Sequence, residues 1–179
     1  MFSAVLSVIF MLSCMQLPSG ISFADTGSGA VWDGTAADTA WYTGHESDSE
    51  FSIGSAGQLA GLASLVNGGN TFAGKTVKLT ADIDLGGASK DKKWIPIGHD
   101  TNSFKGTFNG GKHSINNMYV DDSFNGSGLF GYISDGAEIS DLTVSGTVVS
   151  SELCTGGIVG KAESNGQNAK IMNCVNNCT

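Results

Sequence analysis

The sequence predicts an all-β fold, a parallel β-helix in which short strands coil and stack, with a single α-helix near the N-terminus. Three observations predict this fold: sequence patterns that recur every 24 to 32 residues, a strict alternation of apolar and polar residues over 75–85, and 26 glycines beside only 2 prolines. A short period without a helix in each repeat is typical of a β-solenoid. Glycine permits the sharp corners between the faces of such a coil.

Residues 1–24 are predicted to be a secretory signal peptide. The apolar run over residues 4–17 is too short to span a bilayer, and the small-residue pattern Ser22-Phe23-Ala24 predicts cleavage after position 24. The segment departs from the usual pattern because it contains no Lys or Arg. Lipid attachment at Cys14 is the alternative. The mature chain is therefore expected to be secreted or held at the cell surface, without a transmembrane helix.

The length and the charge limit the classes of protein that fit. A chain of 179 residues is expected to form one domain, and its net charge is -8. Net acidity argues against nucleic acid and against an anionic membrane surface as partners, because both are bound through Lys and Arg. Removal of the signal peptide leaves Cys154, Cys174 and Cys178, an odd number that is compatible with a free thiol, an intermolecular bond or a missing partner.

One helix is predicted, over residues 56–66, after a lead-in over 25–50. Its apolar residues recur at helical spacing, and Ser55 with Gln58 forms a capping box at its start. Asn67 and Gly68 supply a stop signal. The β-helix is expected over 51–179. We expect the helix to cap its N-terminal end, where it would cover strand edges that otherwise pair with other chains.

The stretch over residues 75–85 reads as one strand that is buried on one face. Val77, Leu79, Ala81, Ile83 and Leu85 would face the core, and the intervening polar residues would face solvent. The preceding segment, GNTFAGKT at residues 69–76, matches the loop that holds nucleotide phosphates. Such a loop needs a strand before it and a helix after it, whereas here the helix precedes and the strand follows, so the nucleotide interpretation is rejected.

Two patterns recur along the second half of the chain. Gly-Leu-Phe-Gly at 128–131 returns as Gly-Ile-Val-Gly at 157–160, an offset of 29 (157 − 128). The pattern I-x-[ND]-[LMC] occurs at 115–118, 139–142 and 171–174, with offsets of 24 (139 − 115) and 32 (171 − 139). Each repeat is expected to form one coil.

Aligned in this way, the repeats predict which side chains lie above one another. The apolar residues of each pattern would point inward. Asn117, Asp141 and Asn173 would occupy one position of three successive coils, where they could form a ladder of hydrogen-bonded side chains.

These motifs resemble the G-L-U-G (GLUG-motif) repeat family of bacterial secreted and surface proteins. The likeness covers residues 32–179 and includes the lead-in segments FSIGSAGQLAGLASLVN, KLTADIDL, WIPIG and FKGTFNGGKHSINNM. It implies a right-handed β-helix of the kind found in adhesin-like surface proteins, and as an accessory region in extracellular peptidases. It implies no catalytic residues within the repeats. The ending NCVNNCT, where a further strand is expected, predicts the N-terminal part of a longer protein, truncated at its C-terminus.

Carboxylates and one aromatic residue are the candidate ligand-binding residues. Asp82 and Asp84 lie two apart on one strand, a spacing that suits a weak Ca²⁺ site or a glycosidase pair. Asp121 and Asp122 form a second acidic pair, and Tyr119 is expected to face outward, where it could stack on a sugar. The histidines lie in no metal or nucleophile motif, so no catalytic residue and no cofactor is predicted.

The sequence therefore predicts a secreted or cell-surface β-helix module that acts as an adhesive scaffold or ligand-presenting rod, without catalysis in this segment. Its partners are expected to be carbohydrate, an extracellular or host protein, or downstream domains of the same chain. One alternative is an extracellular polysaccharide lyase or hydrolase. Another is the accessory repeat region of an extracellular peptidase, which would carry a metal-binding motif downstream.

Overall fold

The computed structural model describes residues 32, 34, 36–87, 92–121, 126–151, 153–164 and 166–179. It is a parallel β-solenoid of about 3 turns with one short helix, which confirms the predicted fold class. The elements are β1 (Glu50–Ile53), α1 (Ala56–Asn67), β2 (Thr76–Leu79), β3 (Ile83–Asp84), β4 (Thr107–Asn109), β5 (Ser114–Asp121), β6 (Phe130–Ser134), β7 (Glu138–Ser140), β8 (Thr143–Val149), β9 (Val159–Glu163), β10 (Lys170–Met172) and β11 (Val175–Cys178). The predicted signal peptide lies outside the described residues.

The strands form three sheets, and the chain visits them in turn. Sheet A has the order β1-β2-β4-β7-β10, sheet B the order β3-β5-β8-β11, and sheet C contains β6 and β9. Every pair is parallel, and bridges from Ile97 to Phe130 and from Phe104 to Ile133 extend sheet C into the preceding coil. Thr76 pairs with Thr107 and Thr107 with Glu138, so one coil takes 31 residues in each case (107 − 76 and 138 − 107).

The core is a set of apolar columns along the solenoid axis. In sheet A the register places four buried side chains in one column, which are Phe51, Val77, Phe108 and Ile139, and the exposed Ile171 continues it in the last coil. Sheet B contributes Ile83, Ile115 and Val144, all of them buried. The ring of Phe130 lies 5.3 Å from the rings of both Phe104 and Phe108, and so joins the columns of sheets A and C.

Helix α1 ends one residue later than predicted. The Ser55 hydroxyl accepts a hydrogen bond from the backbone N–H of Gln58 at 3.3 Å, as a capping box requires. The Gln58 side chain accepts from Gly54 at 2.8 Å, one residue before the expected partner. The helix buries Leu59, Leu62 and Val66 in the common core. Its role as a cap, and the right-handed sense of the coil, stay predictions.

The single strand predicted over residues 75–85 is wrong, because the chain turns a corner within it. Strand β2 belongs to sheet A and β3 to sheet B, with half-exposed Ala81 between them. Val77, Leu79, Ile83 and Leu85 are nonetheless all buried. The alternation survives because a side chain that points inward before a corner of the coil points inward after it as well.

The repeat alignment is right in part. Phe130 pairs with Val159, which confirms the offset of 29 (159 − 130) between the glycine motifs. Ile139 pairs with Ile171 as predicted, but Ile115 pairs with Ile83 and Val144 in another sheet. The offset of 24 between residues 115 and 139 therefore does not relate successive coils.

The predicted ladder of three residues is likewise only a pair. The Asn173 amide donates to Asp141 at 3.2 Å, whereas the Asn117 amide donates to Asp84 at 3.0 Å. Asn117, Asp141 and Asn173 share a positive φ, between 51° and 57°. Asn and Asp tolerate this conformation, and the solenoid uses it both at corners and at the bulge in β5. The local sequence pattern cannot distinguish the two.

Two glycines of α1 provide a matched test of the packing at this end of the molecule. A methyl group at Gly61 would collide with the backbone carbonyl of Asp38, whereas one at Gly57 would make an ordinary contact of 3.5 Å with the Ala36 carbonyl. We expect Gly61→Ala to lower the free energy of unfolding by about 1–3 kcal/mol through overpacking. Gly57→Ala should leave it unchanged or raise it by about 0.5 kcal/mol through helix propensity.

Urea unfolding of both variants measures the difference. Equal free energies of unfolding for Gly61→Ala and Gly57→Ala would contradict the close contact between α1 and Asp38.

Candidate functional site

The outer face of sheet B, meaning the outward side chains of β3, β5, β8 and β11 with those of residues 82 and 113, carries most of the predicted ligand-binding residues. The side chains of β5 alternate between buried and accessible positions on either side of its bulge. The structure brings Asp82, Asp84, Tyr119 and Asp121 onto this one face. Asp122 lies outside the described residues.

Asp82 links two successive coils. Its Oδ1 accepts a hydrogen bond from the backbone N–H of Ser114 at 2.8 Å and lies 3.2 Å from Nδ1 of His113. The backbone N–H of Ser114 is the main cause that lowers the pKa of Asp82, and the neighbouring His113 adds to the effect. The carboxylate is therefore held in its ionised form, and its hydrogen bonds connect one coil to the next.

Asp84 and Asn116 continue this hydrogen-bonded network along the face. Oδ1 of Asp84 accepts from the backbone N–H of Gly86 at 2.8 Å and from the Asn117 amide at 3.0 Å. Asn116 donates to the Ser114 hydroxyl at 2.8 Å and accepts from the Ser145 hydroxyl at 3.0 Å. The polar side chains of this face are thus ordered by one another.

The weak Ca²⁺ candidate therefore has one oxygen of each carboxylate already hydrogen-bonded. Oδ1 of Asp82 and Oδ1 of Asp84 each accept from N–H donors, and Ca²⁺ prefers several oxygen ligands at once. Within the described ranges, no group of three or more His, Cys, Asp or Glu side chains is arranged to hold a metal ion. A Ca²⁺ site at Asp82 and Asp84 stays a prediction.

Tyr119 and Asp121 lie at the other end of β5, beside residues 92–97. Tyr119 faces outward and is half-buried, and its carbonyl accepts from the backbone N–H of Trp94 at 2.7 Å. Asp121 forms an ion pair with Lys93 at 2.9 Å. Trp94 itself is buried, and its indole N–H donates to the Leu129 carbonyl at 3.1 Å. This segment therefore bonds the backbone of Tyr119 and the side chain of Asp121.

Sequence reasoning missed the residues that hold the polar side chains of this face from neighbouring coils. Asn116, Ser145 and His113 contact residues that lie about one coil away in sequence, at separations of 29 to 31 residues. A correct coil register for Ile115 would have placed Asn116 beside Asp84. Lys93, the partner of Asp121, follows no repeat pattern that could have identified it.

The three cysteines that the structure describes, Cys154, Cys174 and Cys178, are free and partly buried. Burial raises the pKa of the Cys174 and Cys178 thiols, so both are poor nucleophiles at neutral pH. Cys178 ends strand β11 and Cys174 immediately precedes it, which separates their Cα atoms by about 13 Å. A disulfide needs Cα atoms within roughly 7 Å, so these two thiols do not pair with each other in the folded chain.

In the part of the chain that the structure describes, no helix has the length and apolar character needed to cross a membrane.

Comparison with known proteins gave no match. No protein-family model, no curated protein and no solved structure matches this chain. Functional conclusions therefore rest on the geometry of the described residues, and the likeness to the GLUG-motif family stays a prediction.

The contacts of Asp82 between the two coils should make the free energy of unfolding depend on pH. A carboxylate whose pKa is lowered on folding stabilises the native state above its unfolded pKa, near 3.8, and the contribution is lost as the pH falls through the folded pKa. We expect wild type to be more stable than Asp82→Asn at about pH 7, and Asp82→Asn to be more stable than Asp82→Ala, because Asn keeps an acceptor for Ser114.

Urea unfolding of the three proteins at about pH 7 and about pH 3 tests this order. The gap between wild type and Asp82→Asn should narrow at the lower pH. A gap that is the same at both values would show that the charge of Asp82 contributes nothing.

Proposed function

We propose that this chain is a secreted or cell-surface β-solenoid module that acts as an adhesive scaffold or ligand-presenting rod, without catalysis in this segment. The outer face of sheet B carries the proposal. There Asp82, Asp84 and Asn116 are held by hydrogen bonds that run between coils. A surface that is already ordered loses little conformational entropy when a ligand binds, which favours recognition over chemistry.

The chemistry of this face suits an extended, neutral, polar partner. It combines carboxylate, amide and hydroxyl groups with the ring of Tyr119, the set of contacts that sugar hydroxyls and sugar ring faces use. The net charge of -8 disfavours polyanions. We therefore propose a neutral glycan or an extracellular glycoprotein as partner. Secretion is supported by the sequence of residues 1–24 and by the family resemblance.

Tyr119 provides the sharpest test of this proposal. Tyr119→Ala should weaken binding of the protein to glycan-coated or matrix-coated surfaces by about tenfold, because the ring supplies the apolar contact area of the face. Tyr119→Phe keeps the ring and should lose less. Lys78→Ala, on the outer side of sheet A, is the matched control, and it should bind as wild type does.

Surface binding of the four proteins, measured with a panel of neutral and acidic glycans, decides the question. If Tyr119→Ala binds as well as wild type to every surface that wild type binds, Tyr119 and its surroundings are not part of the binding site.

One observation favours the alternative of a carbohydrate-active enzyme. Asp82 and Asp84 are both exposed on one face, and His113 lies beside Asp82. Paired carboxylates are the catalytic groups of most glycosidases. If this interpretation is right, the protein should depolymerise a polysaccharide, and the double variant Asp82→Asn, Asp84→Asn should abolish that activity while Lys78→Ala retains it.

Release of reducing ends from a polysaccharide panel is the measurement. Activity that persists in the folded double variant would rule out this pair as the catalytic groups.

A further inference from the structure

A cleft separate from the outer face of sheet B lies between α1 and the segment that contains Trp94. Its volume is about 390 Å³, which is within the size range of small-molecule sites. Two tryptophans, Trp32 and Trp94, form part of the wall, with their ring centroids 5.7 Å apart in an edge-to-face arrangement. The helix contributes Ala60, Ala63 and Ser64. Small side chains on the helix leave the space that the large rings do not fill.

Three of the four polar side chains that line the described part of the cleft are already hydrogen-bonded. The indole N–H of Trp32 donates to the Ala36 carbonyl at 3.3 Å, and that of Trp94 donates to the Leu129 carbonyl. The amide of Asn67 donates to Pro96 at 3.1 Å and accepts from Gly98 at 2.8 Å. Both rings therefore offer the cleft their carbon atoms and no free donor.

Ser64 is the exception. Its side chain is exposed, and its hydroxyl makes no hydrogen bond with the residues that the structure describes. None of the lining residues that the structure describes carries a charge, and the carbon stem of Lys92 lies beside Gly34 at the cleft. A ligand with a net charge would gain no ion pair from those lining residues, and a ligand with many hydroxyls would leave most of them without a partner.

The edge of the cleft exposes apolar surface. Ile95 follows Trp94 directly and is 64% exposed, whereas the neighbouring Trp94 and Ile97 are buried. A bound apolar molecule would remove Ile95 and the cleft walls from water, which is the main source of affinity in sites of this kind.

We propose that this cleft binds a small, neutral, largely apolar molecule that carries a single hydrogen-bonding group. That group would form a hydrogen bond with the hydroxyl of Ser64. The size of the cleft, its satisfied indole N–H groups and the apolar, uncharged side chains among its described lining residues favour this class over sugars and over ions. The inference does not depend on the proposed function, because the cleft lies outside the outer face of sheet B.

The three tryptophans of the chain make the test direct. Trp32 and Trp94 line the cleft, whereas Trp41 packs against Tyr42 and Phe51 elsewhere. We would titrate the protein, as recovered from the cells that produce it, with benzyl alcohol and follow the indole N–H signals by NMR. The signals of Trp32 and Trp94 should shift saturably, and the signal of Trp41 should stay in place. Benzoate and glucose should cause no saturable shift.

A blocking variant and a matched control test whether the shifts of the indole signals come from binding in the cleft. Ala60→Leu places a larger side chain inside it and should weaken benzyl alcohol binding by about tenfold. Ala73→Leu makes the same change at an exposed turn and should bind as wild type does. Ser64→Leu is a second blocking variant. It replaces Ala60→Leu if the indole NMR signals of the ligand-free Ala60→Leu protein differ from those of wild type, because that variant would then not keep the native fold.

The proposal is overturned if benzyl alcohol shifts neither Trp32 nor Trp94 saturably. It is equally overturned if all three indole signals shift together, or if the folded blocking variant binds with the affinity of wild type.

Discussion

Parallel stacking of successive coils in register is the interaction on which the rest of this structure depends. The strands are 2 to 8 residues long, too short for any of them to be stable alone. Each gains its hydrogen bonds from strands of neighbouring coils, so equivalent positions lie directly above one another. The column of Phe51, Val77, Phe108 and Ile139 follows from this register, because an apolar residue in one coil buries its surface on the apolar residue of the next.

The same register determines the outer surface. Once Ile83, Ile115 and Val144 are superposed inside sheet B, their polar neighbours are superposed outside it. Asp84 then lies beside Asn116, and Asn116 lies within hydrogen-bonding distance of Ser145. The polar face is therefore a consequence of the core, and any substitution that shifted the core register would dismantle the candidate site as well.

Sequence reasoning succeeds here where a signal is local and fails where it depends on the partner coil. The helix is marked by Ser55, Gln58 and its leucine spacing, all within one segment. The corner between β2 and β3 leaves no such mark, because the inward pattern runs through it unchanged. The pattern that relates Ile115 to Ile139 contains an Asx residue, and in the structure that residue has a positive φ at a bulge in one case and at a corner in the other. The cleft joins Trp32 to Trp94, 62 residues apart (94 − 32), and no pattern relates them.

Regular and irregular parts of the solenoid offer different kinds of surface. Identical coils that stack in register produce flat faces, which suit extended ligands that contact several coils at once. A concave site needs the repeat to be interrupted, because a side chain on one coil is otherwise covered by its equivalent on the next. Helix α1 is such an interruption: Ala60 and Ala63 face two tryptophans across a gap that no strand fills. The separation of the proposed glycan-binding face on sheet B from the proposed small-molecule site beside α1 therefore follows from where the repeat is regular and where it is interrupted.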